Sequence, residues 1–560
     1  MKPIIYQILT RLFSNRNTNR KQNGSLLENG CGKMNEIDTD VLRRIKDMGV
    51  SHIWYTGMIR HATQTDYTQY GIPAQHPCIV KGKAGSPYAI ADYYDIDPDL
   101  AEDVEKRMDE FEGLVCRTHQ AGMKVIVDFV PNHVARQYRS VCKPAHVRDL
   151  GENDNTSLYF SPNNNFYYIG GSFECPFDER ADEGKGIPDS MPRYEECPAK
   201  ATGNDCFVAH PGIHDWYETV KLNYGVDYYD DGRRTKHFDD MPDTWCQMAD
   251  ILLFWAEKEV DGFRCDMAEM VPAEFWNYAI SRVKARYPDV VFIAEVYNPS
   301  LYKEYVRAGF DWLYDKVGMY DCLRDVVCDR RPTQHITWQW QDTDDIAAHL
   351  LYFLENHDEQ RIASSFFSGN ARKAVPALMV TAWMRNNPLM LYAGQEFGEP
   401  GMDAEGFSGM DGRTSIFDYW CVDSLRRGYY EREQQTEEER RLSEMYRQIL
   451  TIAASKPVMR EGEFFDLMYV NPHLAEKQFV FLRRMEREMA LVAVNFSTET
   501  VETTVYISSH AFDLYGIREQ AVQARELLTG KETVIKLCLN RPVPLVLPAW
   551  SGQIWTFTCQ

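Results

Sequence analysis

Apolar runs of strand length alternate with helical patterns along most of this chain. Residues 4–12, 51–56 and 124–129 are such runs, and residues 38–48 and 102–120 between them repeat apolar side chains at helical spacing. Strands that alternate with helices are typical of a parallel sheet closed by helices. The pattern therefore predicts an α/β chain with buried parallel strands.

The same alternation resumes near residue 244 and completes the predicted sheet. Strands are predicted at residues 261–266, 290–296, 310–314, 349–355 and 388–392. The helices predicted with them span 244–258, 273–286 and 437–453. With the first three strands this gives eight, the number in a (β/α)8 TIM barrel.

Two regions depart from the alternation and predict additional domains. The stretch after residue 133 is rich in Asn, Asp, Gly, Pro and Tyr, and a connection this long usually has a function. We therefore predict an inserted subdomain over 134–211, after the third strand, which leans over the mouth of a barrel formed by 1–133 and 212–455. Residues 456–560 turn to β-rich runs, which predict a C-terminal antiparallel β-sandwich.

Composition and charge exclude several classes of partner. The chain has 560 residues, of which 44% are hydrophobic, so it can bury a large core. Lys and Arg total 61 against 83 Asp and Glu, a net charge of −22, which argues against nucleic acid or an anionic membrane as partner. A neutral substrate such as a sugar remains compatible, and the oligomeric state is open.

The N-terminal residues and the cysteines predict a cytoplasmic location. The first apolar run carries Tyr6, Gln7 and Arg11 and has no small-residue cleavage site, so we expect neither a signal peptide nor a membrane span. The 14 cysteines are scattered without a Cys-x-x-Cys pair. We therefore expect reduced thiols, and neither disulfides nor a zinc site.

Four short stretches place charged and polar side chains where apolar runs end. They are DFVPNH at 128–133, GFRCD at 262–266, IAE at 293–295 and ENHD at 355–358. Residues at the carboxyl ends of parallel barrel strands face one common pocket. The four stretches could therefore bring three carboxylates, an arginine and two histidines together.

Asp266 and Glu295 have the placement that glycoside hydrolysis requires. That reaction uses one carboxylate at the anomeric carbon and one carboxylic acid at the departing oxygen. Arg264 lies two residues before Asp266 on one strand face, and we expect its charge to keep Asp266 ionised. The apolar residues before Glu295 and the charges of Asp266 and Asp358 are expected to raise the pKa of Glu295, as suits a general acid.

Each of these residues also has an ordinary structural interpretation. An Asp beside an Arg is more often a structural ion pair, and His133 or His357 alone is more often a hydrogen-bonded histidine at a barrel rim. The ordered set of four stretches favours the catalytic interpretation.

The four stretches resemble the four ordered sequence regions of the α-amylase family, glycoside hydrolase family 13. Residues 5–9, 85–88 and 387–396 resemble further conserved segments of that family. The resemblance covers most of the chain from about residue 3 onward. It implies a (β/α)8 barrel, an insertion after the third strand and a C-terminal β-sandwich.

The resemblance also implies roles for individual residues. Asp266 would be the nucleophile, Glu295 the acid/base and Asp358 the stabiliser of the transition state. The substrate-binding residues would be Tyr88, as an aromatic platform, together with His133, Arg264 and His357. The implied enzyme is an α-amylase-type glycosidase.

Two departures from the family affect the leaving-group side and the metal. Many members carry a Lys-His pair where this chain has Glu269 and Met270, which bears on endo-action on long starch chains. The Asn-His pair at Asn132 and His133 resembles a position where many members bind calcium, an ion that needs several oxygen ligands in one cage. The acidic residues of the insertion cannot be assigned to such a cage; they include Asp154, Asp178 and Asp182. We expect no required cofactor and leave calcium open, with no metal ligand assigned.

Three functions are compatible with these observations. The first is a retaining hydrolase of α-glucosidic bonds, α-1,4 above all, in maltooligosaccharides or related α-glucans. The second is a transglycosylase or sugar isomerase of the same family, which differs in whether water is excluded before an acceptor arrives. The third is a non-catalytic carbohydrate-binding protein on the same fold, which the retained carboxylates disfavour.

Overall fold

The computed structural model describes residues 2–177, 187, 191–401, 404–407 and 409–559. Its centre is a closed barrel of eight parallel strands, in which each strand pairs with its neighbours in chain order and the first pairs with the last. The strands are β1 (Ile4–Leu9), β2 (His52–Thr56), β3 (Lys124–Phe129), β4 (Gly262–Cys265), β5 (Val291–Ala294), β6 (Trp312–Tyr314), β7 (Leu350–Phe353) and β8 (Leu389–Tyr392). The predicted TIM barrel is confirmed.

Helices connect the strands and cover the barrel. The longer ones are α1 (Thr39–Asp47), α2 (Arg107–Gln120), α3 (Asp243–Glu257), α4 (Ala273–Lys284), α5 (Tyr302–Ala308), α6 (Asp321–Val327), α7 (Gln334–Asp342), α8 (Val375–Trp383) and α9 (Glu437–Ser455). Helix α1 begins after Asp38, whose carboxylate accepts the backbone N–H groups of Asp40 and Val41. Such a cap stabilises a helix start by about 1 kcal/mol.

Two predicted boundaries differ from the structure for local reasons. Strand β1 stops at Leu9 because Thr10–Phe13 forms a short helix, although its residues are all buried. Helix α2 begins at Arg107 and not at residue 102, because Asp103 caps a separate 3-10 turn over Val104–Lys106. Burial continues past the end of β1, so the apolar pattern does not mark that boundary, whereas the turn before α2 has no buried residue.

The segment between β3 and α3 contains short antiparallel pairs and long loops. His133–Ala135 pairs with Thr219–Lys221, and Tyr168–Ile169 pairs with Ala199–Lys200. The carboxylate of Asp154 accepts the backbone N–H groups of two residues, Asn165 at 2.7 Å and Phe166 at 3.0 Å. Asp154 therefore organises a loop, and Asp178 and Asp182 lie outside the described residues.

A disulfide joins this segment to the loop after β2. It links Cys78 to Cys175, while the other cysteines of the described chain are free. The expectation of reduced thiols throughout was wrong for this pair, because scattered spacing in the sequence does not reveal which thiols the fold brings together. Disulfides are rare in cytosolic proteins, so this bond does not support the predicted cytoplasmic location. The location stays a prediction.

The C-terminal region is β-rich and antiparallel. Its strands are β9 (Glu463–Asp466), β10 (Gln478–Met485), β11 (Glu488–Asn495), β12 (Val501–Val505), β13 (Gln520–Glu526), β14 (Glu532–Leu537), β15 (Val543–Leu547) and β16 (Ser551–Thr558). They form a six-stranded sheet and a two-stranded sheet. The buried guanidinium of Arg483 donates to the carbonyl of Trp383 at 2.8 Å and so ties β10 to helix α8.

A helix that spans a membrane needs about 20 consecutive, mostly apolar residues. Across the described residues, none is both long enough and apolar enough to cross a bilayer.

Candidate active site

The guanidinium of Arg264 joins two carboxylates at the carboxyl ends of β4 and β5. Its Nη1 lies 2.7 Å from Oδ1 of Asp266, and its Nη2 lies 2.7 Å from Oε1 of Glu295. The backbone N–H of Glu295 donates to the carbonyl of Cys265, which keeps the two strand ends in register. Arg264 is 0% exposed. One rigid, fully buried cation therefore holds both carboxylates close together.

Asp128, at the end of β3, adds a further carboxylate to this group. Its Oδ1 lies 3.6 Å from Nη1 of Arg264, and its Oδ2 accepts the indole N–H of Trp54 at 3.0 Å. Asp128 begins the stretch at 128–133, but no role for it was predicted from the sequence. Its position as the acidic residue near the end of an apolar run was the available signal.

His357 links β7 to β1 and to Asp358. Its Nδ1 lies 2.8 Å from Nε2 of Gln7, which also donates to Thr56. Because an amide nitrogen donates, the ring carries its proton on Nε2, which lies 3.0 Å from Oδ2 of Asp358. Gln7, which sequence reasoning missed, therefore orients the histidine that contacts Asp358.

Tyr88 lies against the same group of residues. Its ring stacks on His357 with centroids 5.1 Å apart, and its hydroxyl lies 2.5 Å from Nε2 of that histidine. The guanidinium of Arg264 lies 5.3 Å from the Tyr88 centroid. Six of the seven predicted residues are thus brought together; they are Tyr88, Arg264, Asp266, Glu295, His357 and Asp358.

His133 lies beside this group and not within it. Its ring packs at 5.2 Å from that of Trp216. Burial lowers the pKa of His133 to about 3, with Lys221 and Lys81 contributing, while a hydrogen bond with the backbone of Tyr88 opposes the shift. His133 is therefore neutral at ordinary pH and contacts the group through Tyr88.

The pKa values of Asp266 and Asp358 are shifted in opposite directions. Burial raises the pKa of Asp266 well above 3.8; Arg264 opposes this shift, and the charges of Glu295 and Asp358 add to it. Burial also acts on Asp358, but His357 and Arg264 outweigh it and lower the pKa of Asp358 to about 2. Arg264 acts on the pKa of Asp266 in the expected direction, but burial outweighs this single ion pair.

The group therefore retains a proton that an exposed set of carboxylates would lose. Burial likewise raises the pKa of Asp128 to about 6, although Arg264 opposes it. A single guanidinium cannot neutralise Asp128, Asp266 and Glu295 together. This excess of carboxylates over positive charge favours one protonated carboxyl group. A site that works with one ionised carboxylate and one carboxylic acid needs such a proton.

Solvent reaches the group mainly at Asp358. The Asp358 side chain is 39% exposed, against 8% for Asp266 and 3% for Glu295. A ligand that binds over Asp358 would displace water from this group. The electrostatic interactions of its carboxylates with the ligand would then be stronger than in water.

Glu295 is fixed by groups from its own and the preceding strand loop. Its Oε2 accepts the backbone N–H of Met267 at 2.7 Å, and its Oε1 accepts the hydroxyl of Tyr297 at 2.8 Å. Met267 has a left-handed backbone with φ of 43°, which is unusual for a side chain of this kind. Tyr297 is a further residue that sequence reasoning missed.

Glu269 and Met270 line a cavity between the barrel and the insertion. The cavity has a volume of about 230 Å³, and the segment between β3 and α3 contributes Tyr167, Lys221 and Tyr228 to its wall. The Glu269 carboxylate accepts two backbone N–H groups that follow β5, from Tyr297 at 3.2 Å and Asn298 at 3.0 Å. Glu269 thus binds the loop that carries Tyr297.

The residues at two possible metal positions do not suit a cation. The amide oxygen of Asn132 accepts the ammonium of Lys221 at 2.7 Å, so a positive charge already occupies that oxygen. Asp92, Asp95 and Cys142 have ligand atoms within 4.8 Å of one another. However, Arg60 pairs with both aspartates, and the guanidinium of Arg107 pairs with Asp95 at 2.6 Å, so their charge is neutralised within the chain.

Known proteins resemble the chain both in sequence and in fold. A family model for the catalytic domain of alpha amylase matches residues 7–448. Alpha-amylase 3 of Dictyoglomus thermophilum is 25% identical over 358 residues, 60% of this chain and 59% of that protein. The alpha-1,4-glucan:maltose-1-phosphate maltosyltransferase of Cereibacter sphaeroides is 31% identical over 130 residues, 21% of this chain and 22% of that protein. The chain thus matches less than two thirds of each relative's length.

A solved structure extends the fold comparison to the whole chain. The crystal structure of alpha-amylase from Geobacillus thermoleovorans, complexed with acarbose, superposes with a TM-score of 0.66 at 19% identity. The match covers 99% of this chain and 98% of that one. At this identity the comparison establishes the fold.

Proposed function

The chain belongs to the α-amylase family, and from that premise we propose that it is a retaining glycoside hydrolase of α-glucosidic bonds. Its substrates would be maltooligosaccharides or related α-glucans, cleaved above all at α-1,4 bonds. The observation that supports this most directly is the bridge from Arg264 to both Asp266 and Glu295. Retaining enzymes need their two carboxyl groups close together, and a shared guanidinium keeps them so.

The first step forms a covalent glycosyl-enzyme. With the proton of the carboxyl group pair on Glu295, Asp266 is the carboxylate, and one of its oxygens attacks the anomeric carbon while the bond from that carbon to the glycosidic oxygen breaks. Glu295 gives its proton to the departing oxygen, so the leaving sugar is released with a neutral hydroxyl. Asp358, ionised because its pKa is about 2, stabilises the positive charge that develops on the ring.

The second step releases the sugar with its original configuration. Glu295, now ionised, takes a proton from a water molecule whose oxygen attacks the anomeric carbon. The bond to Asp266 breaks and the aspartate recovers its charge. Two inversions at one carbon give the α-anomer.

Binding of the sugar is assigned to the residues around Asp358. Tyr88 offers its ring to the apolar C–H face of the sugar. His357, fixed by Gln7, directs its Nε2–H toward Asp358 and so positions that carboxylate. His133, which is neutral and hydrogen-bonds the backbone of Tyr88, supports the position of that ring. Arg264 is fully buried, so it acts on the sugar through the carboxylates that it holds.

A transglycosylase is the second candidate function, and the similarity of part of the chain to a maltosyltransferase supports it. Both enzymes form the same intermediate and differ in whether water or a sugar attacks it. A product panel separates them: maltoheptaose, starch, pullulan, trehalose and sucrose are each incubated with the protein, and products are followed by chromatography and NMR. We expect shorter α-1,4-linked sugars and no new linkages. Longer or re-linked products would identify the transglycosylase.

A further inference from the structure

We propose that Glu269 and Tyr297 are positioning residues that fix the acid/base Glu295 so that its proton lies on Oε2. The proposal rests on the role assigned to Glu295 under the proposed function. It assigns a use to Glu269, one of the two positions at which this chain departs from the Lys-His pair of its family.

The hydrogen bonds of Glu295 distinguish its two oxygens. Oε1 contacts two donors, the Tyr297 hydroxyl at 2.8 Å and Nη2 of Arg264 at 2.7 Å. Oε2 accepts one donor, the backbone N–H of Met267 at 2.7 Å. A carboxyl oxygen has two lone pairs. Oε1 therefore accepts the Tyr297 hydroxyl and faces the Arg264 cation, whose charge disfavours a proton there, so the proton for the leaving group belongs on Oε2.

Tyr297 remains a donor throughout the working pH range. Burial raises its pKa well above 10, and the negative charge of Glu295 adds to the shift. Because its hydroxyl keeps its proton, Tyr297 continues to occupy Oε1 while Glu295 changes between acid and base.

Glu269 holds the backbone from which Tyr297 extends. Its Oε2 accepts the N–H groups of Tyr297 and Asn298, at 3.2 and 3.0 Å. The side chain of Asn298 then caps the turn Pro299–Leu301. A lysine at position 269 is only a donor, so it could not accept either N–H group. Glu269 therefore fixes the loop by a contact that the usual family residue cannot make.

The proposal predicts a loss of activity that depends on the leaving group. Departure of 2,4-dinitrophenol from its α-maltoside needs no proton, whereas departure of phenol does. For Tyr297→Phe and Glu269→Leu we expect kcat/KM for the phenyl substrate to fall by roughly 10- to 100-fold, part of what a general acid contributes. The dinitrophenyl substrate should change less than about threefold, because its glycosylation step needs no acid. This ratio of kcat/KM values reports on glycosylation alone.

Matched variants separate positioning from loss of fold. Glu269→Gln keeps an oxygen that can accept both N–H groups and is expected to restore the wild-type ratio. Glu274→Leu removes a glutamate on α4 whose side chain is 46% exposed and is expected to leave both substrates unaffected. Glu295→Gln provides the reference pattern for loss of the acid, with the phenyl substrate alone strongly affected.

The outcomes separate the inference from the proposed function. If Glu295→Gln slows both substrates equally, the acid role of Glu295 fails and the proposed function fails with it. If Glu295→Gln is selective while Tyr297→Phe and Glu269→Leu are unchanged, or slow both substrates equally, the positioning role is overturned. Selective loss in both variants, with recovery in Glu269→Gln, supports it.

Discussion

Asp266→Ala is expected to lower kcat on maltooligosaccharides by about 10⁴-fold or more, with the fold intact. The variant has no oxygen to attack the anomeric carbon, so the first step cannot form the glycosyl-enzyme. The fold should persist because Arg264 keeps its contact with Glu295 at 2.7 Å. Removal of one buried carboxylate also relieves repulsion of Glu295 and Asp358, so the melting temperature should stay level or rise.

The control for this variant is an aspartate at the same end of the barrel without a role. Asp321→Ala changes a side chain that is 41% exposed at the start of α6 and is expected to keep near wild-type kcat. Initial rates and thermal unfolding of both variants measure the effect. If Asp266→Ala retained more than about one tenth of the activity, the nucleophile would be another group.

Arg264→Met is expected to cost both stability and activity. Arg264 contacts Asp266 and Glu295 at 2.7 Å and lies 3.6 Å from Asp128, all of them buried. Removal of one partner from a buried ion pair typically destabilises a protein by about 3–5 kcal/mol. Activity should fall as well, because the two carboxyl groups lose the guanidinium that holds them together.

The effect of Arg264→Met should depend on pH in a defined direction. Arg264 acts to lower the pKa values of Asp128 and Asp266 in the folded state. Its stabilisation is therefore present where these groups are ionised and is lost as pH falls and they gain protons. Thermal unfolding should show a larger decrease in Tm at pH 8 than at pH 5. Arg264→Lys, which keeps the charge without the planar fork, should lie between; an unchanged Tm in Arg264→Met would contradict the account.

The barrel could be predicted from the sequence because each strand is an apolar run with a clear beginning. The prediction of 124–129 matches β3, where Gly122 separates the run from the helix before it. The prediction of 4–12 overran β1, because the buried turn Thr10–Phe13 continues the apolar pattern. An apolar pattern reports burial, while the end of a strand depends on backbone pairing with its neighbours.

The site residues that stand in a sequence motif were predicted. The residues that join the site through contacts in the folded chain were missed. Asp266 and Glu295 stand at strand ends, so their convergence follows from a parallel barrel. Gln7 contacts His357 through a pairing between distant strands that no spacing in the sequence indicates. Tyr297, by contrast, stands two residues after Glu295, a spacing that could have placed both on one face. The raised pKa of Asp266 was not predicted, because a neighbouring arginine is visible in the sequence but the degree of burial is not.

The central claim is a double displacement at an α-glucosidic bond, and the configuration of the first product tests it most directly. NMR of a maltooligosaccharide digest, recorded before mutarotation equilibrates the anomers, distinguishes the two outcomes. The account predicts the α-anomer, because attack by Asp266 and then by water inverts the anomeric carbon twice. If the first product were the β-anomer, a single displacement would be at work and the account would be contradicted.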